Sequence, residues 1–183
     1  QRKKQFNKNI KFSIITPLYN TPSDFLIELL ESMKEQTYAN WELCLADGSD
    51  EKHQYVRNIC LEYAKKDPRV IYKILDQNKG ISENTNECIK IATGDYYGLL
   101  DHDDLLHPSA LYEVMNVIEE EKADFIYTDE VKFSGNVEDI NNPLAFNLKP
   151  DFGIDDLRSH NYICHFPVFN KELLNSEDEF YRK

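Results

Sequence analysis

Long apolar runs, positive charge and paired cysteines are all in short supply in this chain of 183 residues. No stretch approaches the roughly 20 apolar residues that a membrane-spanning helix needs, and the start Gln1-Arg2-Lys3-Lys4 lacks the apolar core of a secretion signal. Lys and Arg number 21 against 33 Asp and Glu, a net charge of −12. A protein that coats nucleic acid is thereby disfavoured, because such proteins neutralise phosphates with a basic face. Cys44, Cys60, Cys88 and Cys164 are widely spaced, and three of them fall in segments with an apolar period. That placement fits reduced core thiols in a cytoplasmic setting, not a zinc knuckle or a disulfide frame. The length suits one domain, or a domain with part of another. The first eleven residues are polar and basic, and residues 175–183 contain no clear closing element, so the chain is expected to be an excerpt with a linker or preceding-segment remnant at 1–11.

Short apolar runs alternate with amphipathic stripes. Phe12-Ser13-Ile14-Ile15-Thr16, closed by Pro17, predicts a first strand. Thr21-Pro22 then offers an N-cap and a first-turn proline, ahead of Leu26, Leu29, Leu30 and Met33 on one helical face. Residues 41–46 predict a second strand, and Val56, Ile59, Cys60, Tyr63 and Ala64 a second helical face. Residues 70–75 predict strand three, a helix follows Ser82, and residues 95–100 predict strand four. Leu111, Val114, Met115 and Ile118 stripe a fourth helix, with residues 124–127 a fifth strand. This alternation predicts an α/β fold, an open and mostly parallel sheet with helices on both faces.

In such sheets ligands bind at the carboxyl ends of the strands. Polar clusters do follow each predicted strand: Pro17-Leu18-Tyr19-Asn20, Asp47-Gly48-Ser49-Asp50, Asp76-Gln77-Asn78-Lys79-Gly80, Asp101-His102-Asp103-Asp104 and Thr128-Asp129-Glu130. A bland scaffold also places polar residues there to start its helices. The fourth cluster carries more information, since three carboxylates in four residues repel one another at the edge of an apolar core. A divalent cation such as Mn2+ or Mg2+, bound through oxygen and shared with substrate phosphates, would resolve the conflict. A polar loop that caps the next helix is the alternative.

Six segments in order then resemble the family 2 glycosyltransferases, inverting enzymes with the GT-A (Rossmann-like) fold. They are Thr16-Pro17-Leu18-Tyr19-Asn20, Gln36-Thr37-Tyr38-Ala39-Asn40-Trp41-Glu42-Leu43, Ala46-Asp47-Gly48-Ser49, Asn78-Lys79-Gly80-Ile81-Ser82 with Asn86, Ala92-Thr93-Gly94-Asp95-Tyr96 and Leu100-Asp101-His102-Asp103-Asp104. Any one alone is weak, and the ordered set is specific. Enzymes that build bacterial surface polysaccharide are the most similar in kind. The resemblance implies a nucleotide-sugar-binding GT-A core over 12–130, with 131–183 beginning an acceptor-side half.

By that resemblance Asp47 accepts the imide N–H of uracil or thymine, an edge with one N–H between two carbonyls. Pro17 and Tyr19 form a wall for the base with backbone groups near Thr16, although Tyr19 serves equally as a packing aromatic. Lys79 offsets diphosphate charge or stands solvated, and Gly80 lets the backbone approach the ligand. Asp103 is the expected metal ligand, with Asp101 on the ribose hydroxyls or a metal-bound water and Asp104 capping the helix or supporting the ligands. His102 receives no role, and His160 and His165 either reach the site from the later segment or, the favoured reading, are structural. Inverting transfer also needs a carboxylate base. Glu177-Asp178 matches that element only superficially, so the base is expected to lie outside this sequence, and Asp129 and Glu130 to contact sugar or acceptor.

The expected partners are a UDP- or dTDP-sugar donor and a glycan or lipid-linked saccharide acceptor, the latter placing the enzyme at the inner face of the cell membrane. Nucleic acid is not an expected partner. A nucleotide-sugar-binding module without turnover stays open as an alternative. A nucleotidyltransferase fits less well, because the loop after strand one is not glycine-rich, and an aspartyl phosphatase would carry its acidic pair there.

Overall fold

The computed structural model describes residues 5–135 and 142–174. β1 (Phe12–Leu18), β2 (Trp41–Asp47), β3 (Val70–Ile74) and β4 (Tyr96–Leu99) run parallel in the order β3-β2-β1-β4. α1 (Ser23–Lys34), α2 (Gln54–Lys66) and α3 (Ile81–Ile91) connect them, and α4 (Ala110–Glu121) follows β4. β5 (Phe125–Ile126) does not pair with β4 directly. A later strand, β8 (Val168–Asn170), lies antiparallel between them and completes a six-stranded sheet. β6 (Glu130–Lys132) and β7 (Ala145–Asn147) form a separate antiparallel pair, and α5 (Ile154–Ser159) precedes β8.

The strand period assigns the two faces. Phe12, Ile14 and Leu18 of β1 with Leu43 and Leu45 of β2 pack under α1, α2 and α4, where Leu26, Leu29, Leu30, Met33, Val56, Cys60, Leu111, Val114, Met115 and Ile118 are buried. Ile15, Cys44, Ala46, Tyr97 and Phe169 meet Cys88 of α3 on the other face. Covering on both sides explains why β1 and β2 read as nearly continuous apolar runs, and each fully buried aliphatic side chain contributes about 1.5–3 kcal/mol. The α/β class and the helical stripes therefore stand as expected.

Several local expectations are corrected. Pro17 does not close β1, which continues to Leu18. β1 pairs with β4 only as far as Ile15 opposite Leu99, so the missing N–H of Pro17 falls where that neighbour has ended. Thr21 does not cap α1, whose N-cap is Pro22 without a side-chain hydrogen bond, and the Thr21 hydroxyl is buried without a partner. The segment at 1–11, expected as a linker or the remnant of a preceding segment, carries packed residues in its described part. Phe6 lies against Tyr38 and Tyr112, and the buried Tyr38 hydroxyl donates to the Ile10 carbonyl at 2.6 Å.

Part of the motif set serves the amino edge of the sheet, away from the expected ligand side. Glu42 is 3% exposed and accepts hydrogen bonds from the Ser13 hydroxyl at 2.6 Å, the Thr93 backbone at 2.6 Å and the Lys11 ammonium. Asp95 accepts from the Lys11 backbone at 2.9 Å. The Ala92-Thr93-Gly94-Asp95 segment thus joins β1, β2 and β4 at their starts.

Candidate active site

The loops after β1, β2 and β3 are fastened to one another. Asn20 adopts a left-handed conformation, φ 53°, which Asn tolerates better than most residues. Its backbone donates to the Ser49 hydroxyl at 2.8 Å, its amide to Asp50 at 3.1 Å, and its amide oxygen accepts from the Asp50 backbone at 3.0 Å. Asn78 accepts from Asn84 of α3 at 2.8 Å and from the Gly80 backbone at 2.9 Å. Gly48 allows a close approach of the two loops, since a Cβ there would stand 3.0 Å from the Asn78 Cα and push that loop outward by a few tenths of an ångström. Gly80 has φ +89° at the start of α3, a conformation that requires glycine.

Asp47 ends β2 within this framework and is 4% exposed. Its Oδ2 accepts from the Tyr72 hydroxyl at 2.6 Å and its Oδ1 from the Ser49 backbone at 2.9 Å. One lone pair on each oxygen stays unused by these bonds. Thr16 is buried with an unpartnered hydroxyl, Pro17 is half-buried, and Tyr19 is exposed. Lys79 is exposed, and its backbone donates to Asn84 at 3.3 Å.

The acidic loop lies along the same carboxyl edge. Asp47 is level with Leu18, and Leu99 with Ile15, so Asp101 begins two residues past the end of β4 at nearly the same height. β1 alone separates the two strands, a lateral offset of roughly 10 Å. Within the loop, Asp101, Asp104 and His165 bring ligating atoms within 4.8 Å of one another. His165 Nδ1 is 3.1 Å from Asp104 Oδ2 and 3.8 Å from Asp101 Oδ2. Asp104 Oδ2 is nevertheless buried with no aligned hydrogen-bond donor. Burial pushes the Asp104 carboxyl above its usual value, with His165 opposing and Asp101, Asp103 and Glu130 adding to the rise. Asp103 lies outside this group and is exposed, lining a cavity of about 890 Å3 between α1, the start of α4 and residues 126–133. Glu130 on that cavity accepts from Asn147 at 2.7 Å and pairs with the buried Lys149 at 3.3 Å, while Asp129 accepts from the Lys149 backbone at 2.7 Å.

The family model for glycosyl transferase family 2 matches residues 13–176. The chain belongs to this family. Uncharacterized protein y4gI of Sinorhizobium fredii is 40% identical over 92% of this chain, which covers 18% of that protein. O-antigen biosynthesis protein RfbC of Myxococcus xanthus is 32% identical over 88% of this chain and 12% of its own length. The chain thus spans less than a fifth of these relatives. S. aureus TarS shares the fold at a TM-score of 0.61 and 25% identity, over 69% of this chain and 23% of that one, and its 1–349 fragment is known in complex with UDP-GlcNAc. A Pyrobaculum calidifontis mannosyltransferase in complex with GDP-Man and Mn2+ aligns over 94% of this chain and 49% of that one at a TM-score of 0.59 and 18% identity.

For this family 2 chain two readings of the acidic loop change. Asp104 does not cap α4, whose N-cap is Ser109 without a side-chain bond, and its carboxylate turns to His165. His165 is not a packed structural histidine, being 38% exposed and facing two carboxylates. His160 stays apart, against Tyr162 at the end of α5. Two carboxylates and an imidazole with an orphaned buried oxygen make a donor set that fits Mn2+. Separation of Asp104 and His165 by some sixty positions hid this group, and the only sequence signal was a histidine in the later matching segment. Tyr72 was likewise missed, because a strand aromatic reads as core.

Proposed function

We propose that this chain forms the nucleotide-sugar side of an inverting transferase, which moves a sugar from a UDP- or dTDP-sugar to a glycan or lipid-linked saccharide acceptor. One observation carries the reading. A fixed carboxylate acceptor, Asp47, and a cation-suited cluster, Asp101 with Asp104 and His165, occupy the same edge two strands apart. Asp47 receives the pyrimidine imide N–H, Pro17 and Tyr19 flank the ring beside the Thr16 backbone, and Lys79 offsets phosphate charge. Asp101, Asp104 and His165 hold Mn2+ or Mg2+, with Asp103 directed to the cavity as a further ligand or sugar contact. Such an ion supplies Lewis-acid stabilisation of the charge left on the departing diphosphate.

Asp129 and Glu130 contact the sugar or the acceptor. Burial pushes the Glu130 carboxyl up, but Asn147 and Lys149 outweigh it and hold the group below its usual value. A carboxylate so held is a weak proton acceptor, and we leave the catalytic base unassigned among the described residues. Glu177 and Asp178 lie outside them.

Calorimetry with UDP, with and without Mn2+, tests the reading on this chain. Binding is expected to depend on the ion and to fall by a factor of about 100 in Asp47→Asn, the loss of a hydrogen bond to a charged group. Electron paramagnetic resonance of Mn2+ then separates the ligands: Asp104→Asn and His165→Ala are expected to weaken ion binding more than Asp103→Asn. Equal UDP binding without metal would overturn the role of the acidic loop. The reverse ranking would return the ion to Asp103.

A further inference from the structure

We infer that Tyr72 is a positioning residue for nucleotide selection: its hydroxyl fixes Asp47 as a permanent acceptor and so sets the preference for uracil or thymine over cytosine. The inference rests on the proposed role of Asp47 at the base and adds a residue to it. Tyr72 stands on β3, level with Leu45 of β2, two positions before the Ile74 that pairs with Asp47. Its ring packs at the margin of the larger core cluster while its hydroxyl reaches Asp47 Oδ2 at 2.6 Å. Burial pushes the Tyr72 phenol well up, and the Asp47 carboxylate adds to this, so the hydroxyl acts as donor.

The chemistry follows from the two donors already on Asp47. Tyr72 occupies Oδ2 and the Ser49 backbone occupies Oδ1. Both bonds use the carboxylate as acceptor and leave one lone pair free on each of its oxygens. They also hold its plane, since the donors sit on different oxygens and come from different strands and loops. The remaining lone pairs can only accept. Uracil and thymine present an N–H at ring position 3, whereas cytosine presents a lone pair there, and two facing acceptors repel. Without Tyr72, Asp47 keeps one tether and gains freedom to rotate its carboxylate away from the base, and in that state it tolerates cytosine.

The test compares UDP and CDP affinities, with Mn2+, in the wild type, Asp47→Asn, Tyr72→Phe and the double variant. The UDP:CDP ratio is expected to fall about tenfold in Tyr72→Phe, the low end of a bond to a charged group. In the Asp47→Asn background the same change is expected to leave the ratio as it is, because coupled residues are not additive. A Tyr72→Phe protein with reduced melting temperature and an unchanged ratio overturns the inference and leaves Tyr72 as packing. If Asp47→Asn itself keeps the wild-type ratio, the base assignment of Asp47 fails, a separate outcome. Should Tyr72→Phe be too unstable to titrate, 3-fluorotyrosine at position 72 alters donor strength while keeping the ring. A ratio that does not respond to it overturns the inference equally.

Discussion

The first 123 residues and the stretch from Asp124 to Leu174 are built differently, although both supply the candidate site. In the first, strands have four to seven residues with β1 and β2 covered on both faces, and the site loops are tied to one another through Asn20, Ser49, Asp50, Asn78 and Asn84. In the second, strands have two or three residues, and Leu144, Phe146, Leu148 and Phe152 are 63–71% exposed. In the β6–β7 pair one opposed couple is polar and partly covered. Glu130 and Asn147 face the buried Lys149, while the opposed Val131 and Phe146 lie exposed. Asp47 thus stands on strands covered from both sides, whereas the later stretch carries apolar surface that its own segment does not cover.

The largest test of this contrast falls on Glu42. Removing a buried carboxylate that serves Ser13, Thr93 and Lys11 leaves several donors without an acceptor at the start of three strands. Glu42→Ala is expected to destabilise the chain by about 3–5 kcal/mol, as breaking a buried charged network does. Urea denaturation followed by circular dichroism reads this directly. A loss below about 1 kcal/mol would mean that the amino edge is not the brace of the scaffold.

Particular residues show what could be read from the chain alone. The stripes of α1 and α4 were legible because period 3.6 burial repeats over three turns, and Leu26, Leu29, Leu30, Met33, Leu111, Val114, Met115 and Ile118 are all buried. β8 was not, since a three-residue strand has no period of its own and takes its place through pairing with β4 and β5, distant in sequence. Asp47 and the acidic loop were visible through motif spacing at strand ends. The Asp104–His165 approach and the Tyr72 hydroxyl depend on tertiary geometry, which neither propensity nor local spacing encodes.

A smaller effect separates the halves by pH. The Lys73 ammonium from β3 and Lys90 from its own helix hold the Glu87 carboxyl down to about 2, against an ordinary 4.5. A carboxyl depressed on folding contributes stability that is fully present above its unfolded value and is lost as pH falls toward the folded one. The window is therefore pH 4.5 down to about 2. With its side chain 23% exposed, screening reduces the contribution to about 1 kcal/mol. The decline in stability across that window is expected to be shallower in Glu87→Gln than in the wild type. Identical slopes would show that the β3–α3 tie adds nothing in solution.

The smallest expected effect lies on the exposed row of β7. Phe146 is 65% exposed and pairs with the likewise exposed Val131 of β6, so replacing it by serine removes little buried surface. Surface substitutions of this kind usually change stability by no more than about 0.5 kcal/mol. Phe146→Ser is accordingly expected to leave the urea midpoint nearly unchanged, while Leu30→Ala in the covered half costs about 2–5 kcal/mol. Sedimentation alongside the denaturation sharpens the contrast. A loss above 2 kcal/mol in Phe146→Ser that grows with protein concentration would show the row buried between copies, and the second region would then owe its order to contacts beyond its own fold.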